Sequence, residues 1–457
     1  MTPEARLQAV FELLAAIDAS PRPADGTVSH YLSQRRYIGS KDRKDIVERT
    51  YGVLRRRARL EWWMDRVRQP IGPRAHLLAD LAMTDGLTPE KLDKIFLGER
   101  APQPLASEER KLVGALVSRP LFHHDMPAWV KGEYPEWVEA KLTGVLGERA
   151  GAELAALREE APLDLRVNTL KATREEAQAA LAAEGITSEP TPLSPLGLRL
   201  PGRVALVQLT AFRDGWVEVQ DEGSQLAALL TDARPGEAVV DFCAGAGGKT
   251  LALAAQMQNK GRLLACDVSQ GRVDRAQDRL RRAGVHNVRK QVLSGEDDKW
   301  VKRHAKSFNR VLVDAPCTGT GTWRRNPDAK WRLTPERLDD LTALQSRVLA
   351  SAARLVLPGG RLVYATCSLL PDENDARIDA FLATHADFTV MPIAEVWAAV
   401  LGTPCPVEGP YLRLTPARHG TDGFFVAVLE RKPAVQAPKP EPEAEAETIP
   451  TPEADAP

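Results

Sequence analysis

AVVDFCAGAGGKT, residues 238–250, is the stretch that decides the fold. Its apolar opening, AVVDF (238–242), reads as a buried strand, and the glycines that follow read as a tight turn into a helix. Gly245, Gly247 and Gly248 let the backbone turn sharply and approach a ligand, and the helix start presents unpaired N–H groups to it. Outward from this turn the alternation continues. Strands are expected at RLLACD (262–267), VRKQVL (288–293), RVLVDA (310–315) and RLVYAT (361–366). Amphipathic helices such as SQGRVDRAQDRLRRAG and TPERLDDLTALQSRVLASAARL lie between them. The pattern predicts a doubly wound parallel sheet with helices on both faces over 231–432. The closing segment, YLRLTPARHGTDGFFVAVLERK, reads as two antiparallel strands.

Such sheets bind ligands beyond the carboxyl ends of their strands. Asp267 ends the second strand, where a carboxylate can accept hydrogen bonds from both hydroxyls of an adenosine ribose. The turn is not a dinucleotide fingerprint, because Thr250 stands where the last glycine of GxGxxG belongs. Lys249-Thr250 imitates the end of a phosphate-binding loop, but the spacing from Gly245 is too short. DAPCTGTG (314–321) follows the fourth strand and TCS (366–368) the fifth, so two cysteines, Cys317 and Cys367, arrive at the same edge. Cysteine is a strong nucleophile, which suits covalent catalysis. The five cysteines (Cys243, Cys266, Cys317, Cys367, Cys405) are odd in number, widely spaced and free of CxxC. That pattern fits neither a disulfide framework nor a zinc site, and no metal is expected.

Upstream the reading changes. Residues 1–150 are expected to be helical: Leu7, Val10, Phe11, Leu14 and Ile17 share one helix face, and Ile46, Val47, Tyr51, Leu54 and Leu60 continue a second pattern that opens with Ser40 as N-cap. Further helices are expected in the seventies, the nineties and 136–159. A small α+β segment spans 151–230, with a strand at LDLRVNTL (163–170), a helix at 173–185, and a strand running into a helix at 215–230. The tail, 433–457, holds one Lys against six acidic residues and is expected to be disordered. It conceals a basic bias elsewhere: Ser33 to Arg68 carries twelve Lys/Arg and five Asp/Glu, compatible with a nucleic-acid face or with solvated helices. The N-terminus has charged residues where a signal peptide is apolar, and no long uncharged apolar run occurs, so a cytoplasmic protein without a membrane span is expected.

DFCAGAGGKT, Asp267, DAPCTGTG with RRNPD (324–328), and TCS together resemble the RsmB/Sun type of RNA cytosine-5 methyltransferase. LDLRVN (163–168) and VQDEGSQLAALL (219–230) are similar to the segments before that family's catalytic domain, and RHGTDGFFVAVLER to its closing strands. YLSQRRYIGSKDRKDIVERTYGVLRRRARLEWW resembles the NusB-like helical domain of bacterial members. The resemblance covers nearly all of the chain except the tail. It implies a multidomain protein: an all-α NusB-like RNA-binding domain, a small α+β segment, then an α/β Rossmann-like class I methyltransferase domain. It also implies S-adenosylmethionine as cofactor and RNA as partner, ribosomal RNA before transfer RNA, with no obligate protein partner.

By the same resemblance Cys367 is the nucleophile, Cys317 aids release of the methylated base, and Asp314 contacts the cytosine. Carbon 5 of cytosine attacks a methyl sulfonium poorly; a thiolate added at carbon 6 makes the ring an enamine and activates it. A protonated or proton-sharing Asp314 would assist at ring N3. Cys243, Ala244, Gly245, Ala246, Gly247, Gly248, Lys249, Asp267, Asp314 and an acid after the third strand (Asp297, chosen over Glu296 and Asp298) are expected at the cofactor. Arg166, Lys249, Arg324 and Arg325 are expected at the RNA, with Lys330, Arg332, Trp323 and Trp331 as further candidates. The turn departs from the family in reading Gly-Ala-Gly-Gly-Lys for Ala-Pro-Gly-Gly-Lys, which loosens it. The target base must be single-stranded or flipped out. Two rival readings are a DNA cytosine-5 methyltransferase attacking through Cys317, which would lack the TCS cysteine, and a non-catalytic RNA-binding assembly factor, which would have lost part of the site.

Overall fold

The computed structural model describes residues 1–202 and 204–433. Apart from Pro433, the tail expected to be disordered lies outside the described residues. Twelve strands occur among the described residues: β1 (Leu163–Val167), β2 (Glu189–Pro190), β3 (Gly197–Leu200), β4 (Val217–Val219), β5 (Ala238–Asp241), β6 (Arg262–Asp267), β7 (Val288–Val292), β8 (Phe308–Asp314), β9 (Val356–Thr366), β10 (Phe388–Val390), β11 (Leu412–Leu414) and β12 (Phe424–Arg431). The large sheet runs β10-β12-β9-β8-β5-β6-β7, with β11 also on β12. β5 to β9 are parallel to their neighbours, and β12 closes antiparallel on β9.

This is the expected Rossmann-like sheet; its central strands are apolar on both faces because both are covered, while the edge strand β7 (VRKQV) is half-buried or exposed throughout. Val240, Val311, Val313 and Tyr364 enter one apolar layer, while Val239, Leu312, Val363 and Val426 enter the other. The chain builds outward from β5 through β6 to β7, then returns to β8 on the other side of β5. The crevice at that reversal lies between the ends of β5 and β8, which is where such sheets hold ligands.

Before it stands a four-stranded antiparallel sheet, β2-β3-β1-β4, packed on the helix Arg174–Ala183 through Leu165, Val167, Leu181 and Leu198. Residues from Ala9 to Val130 share one helical core, with Leu13, Ile46, Leu60 and Leu77 fully or almost fully buried. From Tyr134 to Leu157 the helices pack instead with Trp323, Leu333, Leu338 and Leu370 of the catalytic part. The long pattern from Ser40 splits into helices Ser40–Arg55 and Arg57–Arg66, and the N-cap is Gly39 rather than Ser40. Extended backbone at Gly39 (φ −67°, ψ 164°) places Ser40 already inside the first turn. No helix among the described residues is long and apolar enough to cross a membrane.

Candidate active site at the carboxyl ends of the parallel strands

The glycine-rich turn is anchored to its neighbours before any ligand is considered. Asp241 ends β5 fully buried and accepts the Thr250 hydroxyl at 2.7 Å, which joins strand end to helix start. Ala244 N donates to the Cys266 carbonyl at 2.8 Å, and Gly245 N to Asp267 Oδ2 at 2.9 Å. Gly247 adopts φ +81°, and a Cβ there would stand 3.0 Å from that of Ala276. At Ala246, where the family's proline would stiffen the turn, the carbonyl accepts Arg279 Nη1 at 2.7 Å instead.

An adenosine-bearing cofactor fits these residues. Asp267 is buried at the end of β6, and its second oxygen accepts only Ser269 N, at 2.8 Å, so both oxygens keep a lone pair for ribose hydroxyls. Around Gly245 (φ +55°) a Cβ would meet nothing within 4 Å, so the mouth of the turn is open. Asp241 Oδ1 has no hydrogen-bond partner, and burial raises that carboxyl to about 7. Beyond β7, Asp298 caps the helix Lys299–Arg303 through Trp300 N, and Glu296 pairs with Arg347. Asp297 makes neither kind of contact and is exposed, which leaves it the available acid of the three.

Lys249 Nζ lies 2.8 Å from Asp314 Oδ2, and both sit against the crevice. Burial works against the Lys249 ammonium, but the Asp314 carboxylate outweighs it, helped by Cys367 and Asp241, so the lysine titrates above its ordinary range. Cys317, just after β8, and Cys367, just after β9, stand with their sulfurs 3.4 Å apart. Burial pushes up the half-buried Cys243 thiol, which packs toward the sheet core.

The loops carrying the cysteines are fastened by close backbone contact. Gly321 N donates to the Cys367 carbonyl, and Gly423 N to that of Gly321, each at 2.9 Å. A Cβ on Gly321 would come 2.2 Å from the Gly423 oxygen. Glu373 accepts Thr318 N at 2.8 Å and Gln345 Nε2 at 2.9 Å, as well as the hydroxyls of Thr318 and Ser368.

Several expected RNA contacts need correction. Arg324 is buried; its Nε donates to Asp422 Oδ1 at 2.6 Å, and Asp221 lies 3.8 Å from its Nη2. Arg325 binds the same two acids, with Nη2 2.9 Å from Asp221 Oδ2, and donates to the Pro162 carbonyl. Both arginines tie the RRNPD loop to the segment before β12 rather than facing a phosphate. Arg166 is 2% exposed on β1 and donates to Gln220 Oε1 at 2.6 Å; burial lowers it to about 10. Trp323 and Lys330 are buried, and Trp331 packs on the helical core, so neither indole is a free stacking platform. Arg332 pairs with Asp328. Much of the basic stretch from Ser33 to Arg68 is likewise engaged inside the fold: Arg49 and Arg56 hold Asp80, and Arg59 holds the buried Glu133. Glu373, Asp221 and Asp422 were not singled out from sequence. Asp221 and Asp422 lay in quoted segments, VQDEGSQ and HGTDGFF, but nothing local marks a carboxylate as the partner of a distant arginine.

Comparison with known proteins follows the same outline. A family model described as 16S rRNA methyltransferase RsmB/F matches residues 228–430, and one for an RsmF/B-like ferredoxin-like domain matches 134–206. A probable ribosomal RNA small subunit methyltransferase B from Synechocystis is 31% identical over 454 residues, covering 93% of this chain and 99% of the relative. The ribosomal RNA small subunit methyltransferase B of Pectobacterium carotovorum is 32% identical over 410 residues, covering 86% and 92%. The crystal structure of PH0851 superposes with a TM-score of 0.78 at 27% identity, covering 94% of this chain and 99% of that one.

Proposed function

The chain belongs to the RsmB/F family of ribosomal RNA methyltransferases, and from that premise we propose that it methylates carbon 5 of a cytosine in small-subunit ribosomal RNA, with Cys367 as nucleophile. The observation that carries the reading is the cysteine pair, 3.4 Å apart beyond β8 and β9, beside the Lys249–Asp314 ion pair. A reaction at a sulfonium alone needs no thiol; two thiols at the ligand edge of the sheet suit a base that must first be activated covalently.

S-Adenosylmethionine, when bound, supplies an electrophilic methyl group. The turn from Cys243 to Lys249, together with Asp267, would hold it, and Asp297 is the acid available for its adenine. Cys367 adds to carbon 6 of the cytosine, forming a C–S bond and moving electron density toward carbon 5. Lys249 beside Cys367 stabilises the thiolate that attacks. Asp314 is an acceptor for the exocyclic amine of cytosine, a donor edge that carboxylates read. It does not need a proton of its own, since the ammonium paired with it provides the N–H for ring N3. After methyl transfer the carbon 5 proton passes to solvent water, the electron pair of that C–H bond re-forms the C5–C6 double bond, the C–S bond breaks and Cys367 departs as thiolate, with Cys317 at hand for that stage. The N-terminal helical domain would help bring the RNA to this edge.

The direct test is methyl transfer from labelled S-adenosylmethionine to small-subunit RNA lacking the modification, followed by nucleoside analysis. 5-Methylcytidine in that RNA supports the reading. Label found only in transfer RNA, in another nucleoside, or nowhere contradicts it.

A further inference from the structure

Glu373 lies in the short 3-10 turn Pro371–Glu373, fully buried, and its carboxylate meets four donors. Oε1 accepts Thr318 N at 2.8 Å and Gln345 Nε2 at 2.9 Å; Oε2 accepts the Thr318 and Ser368 hydroxyls. Thr318 follows Cys317 and Ser368 follows Cys367, so one carboxylate holds the neighbours of both cysteines, which come from different strands. Asn374 completes the hold on the second loop: its Nδ2 donates to the Ser368 carbonyl at 2.9 Å, and its Oδ1 accepts the Thr366 hydroxyl at 2.6 Å. Tyr364 OH donates to the Glu373 carbonyl at 2.7 Å, fixing the turn to β9.

A neutral amide could accept two of these bonds. A buried carboxylate costs several kcal/mol more than an amide unless a cation compensates it, and no Lys or Arg stands within 4 Å of Glu373 among the described residues. Four donors, three of them on the residues that follow the two cysteines, compensate the buried carboxylate in place of a cation. Beside Cys317, Glu373 Oε1 accepts the backbone N–H of the next residue, Thr318, at 2.8 Å; Lys249 is held in its ion pair with Asp314 at 2.8 Å, and its ammonium is favoured by Cys367.

We propose that Glu373 is a positioning residue for both cysteines: it clamps their loops so that the sulfurs touch, and its charge assigns the proton of the pair to Cys317 and the thiolate to Cys367. The Cys317 thiol is pushed well above its ordinary range, first by its hydrogen bond with Cys367, then by burial, by the charge of Cys367 and by Glu373. A like charge beside Cys317 and an opposite charge beside Cys367 act in the same sense. The proposal rests on the cysteine pair being the reaction centre.

The experiment is alkylation of the intact protein by iodoacetamide from pH 6 to 10, without RNA, with each thiol resolved by mass spectrometry. In the wild type Cys367 should react at least about tenfold faster than Cys317 at pH 7.5, because Cys317 is held as the thiol well above its ordinary range, each pKa unit being a tenfold loss of thiolate. Glu373→Gln keeps the shape and removes the charge; it should raise the Cys317 rate about tenfold at pH 8 and move its profile to lower pH. Glu373→Asp keeps the charge but shortens the clamp; it should preserve the wild-type pH profile of Cys317 and lower kcat for methyl transfer with little change in KM. If Gln at this position prevents folding, the Asp variant carries the test. Cys317 outreacting Cys367 in the wild type, an unchanged ratio in folded Glu373→Gln, or a shifted Cys317 profile in Glu373→Asp overturns the proposal. Since alkylation involves no RNA, the expected profiles in Glu373→Gln and Glu373→Asp without any methyl transfer by the wild type would support the clamp and contradict the proposed function.

Discussion

Replacing Asp241 by Asn should make the protein more stable at pH 8 than at pH 5, relative to wild type. Asp241 is fully buried, and its carboxyl is raised from 3.8 to about 7, chiefly by burial, against the Thr250 hydrogen bond. A raised carboxyl pKa means that the folded state binds the proton more tightly than the unfolded one. The stability this confers is complete below pH 3.8 and is lost as pH rises through about 7, beyond which no more is lost. Ionisation therefore costs the fold about 4 kcal/mol at pH 8 and about 1.6 kcal/mol at pH 5, at 1.36 kcal/mol per unit. The substituted asparagine carries no charge and still accepts from Thr250. Its amide would occupy the place of Oδ1, which has no partner, at a cost of about 1–3 kcal/mol that does not depend on pH. That cost cancels in the comparison, leaving a gain at pH 8 over pH 5 of about 2–3 kcal/mol. Thermal unfolding followed by tryptophan fluorescence is the assay. For a cooperative unit of about 200 residues the melting temperature should shift about 5–10 °C more favourably at pH 8 than at pH 5. Equal shifts at the two pH values, or a less favourable one at pH 8, would refute the assignment of a charge-burial cost to Asp241.

Gly321→Ala should force apart the backbones of residues 321 and 423 and move the Cys367 loop; a stability loss of about 1–3 kcal/mol and a kcat loss of at least tenfold are expected from melting and methyl-transfer assays, and unchanged values would contradict the close approach. Asp422→Asn leaves the buried Arg324 with Asp221 as its one carboxylate partner, beside the Gly420 carbonyl, and chemical unfolding should show a loss of about 3 kcal/mol; a loss under about 0.5 kcal/mol, the range of ordinary surface changes, would mean the ion cluster is not what holds the loop. Asp267→Ala removes the proposed ribose acceptor, so calorimetry should show S-adenosylmethionine binding weakened about 10–100-fold, the equivalent of a charge-assisted hydrogen bond; an unchanged Kd places the ribose elsewhere.

The sheet and its edge were legible because their signals are local. β5 to β8 fall within a few residues of the sequence reading, since each is a short apolar run ended by a turn or helix cap. β9 begins earlier than expected, at Val356, which pairs with Phe308; the ladder then skips Leu357 to Gly360, with Gly359 at φ +76°, and resumes at Arg361, so the Pro-Gly-Gly break is a bulge inside one strand rather than its start. β2 and β10 are two and three residues long, too short to show a period, and lie at sheet edges. The cysteines, Asp314 and Lys249 were found because motif position placed them at one edge of the sheet. Charge was the poorest guide. Arg324 and Arg325 resembled phosphate ligands until Asp422, roughly a hundred residues on, appeared beside them. Glu373 was invisible for the same reason: its partners Thr318 and Gln345 belong to other elements, and no spacing in the sequence announces a carboxylate that joins two loops.

Covalent trapping tests the central claim most directly. Cys317→Ala, incubated with S-adenosylmethionine and small-subunit RNA, should accumulate a protein–RNA adduct that resists denaturing electrophoresis and maps to Cys367. Cys317→Ala/Cys367→Ala should form none. An adduct that requires Cys317 and survives the loss of Cys367 would contradict the account, as would the absence of any adduct in Cys317→Ala under conditions where the wild type methylates the RNA.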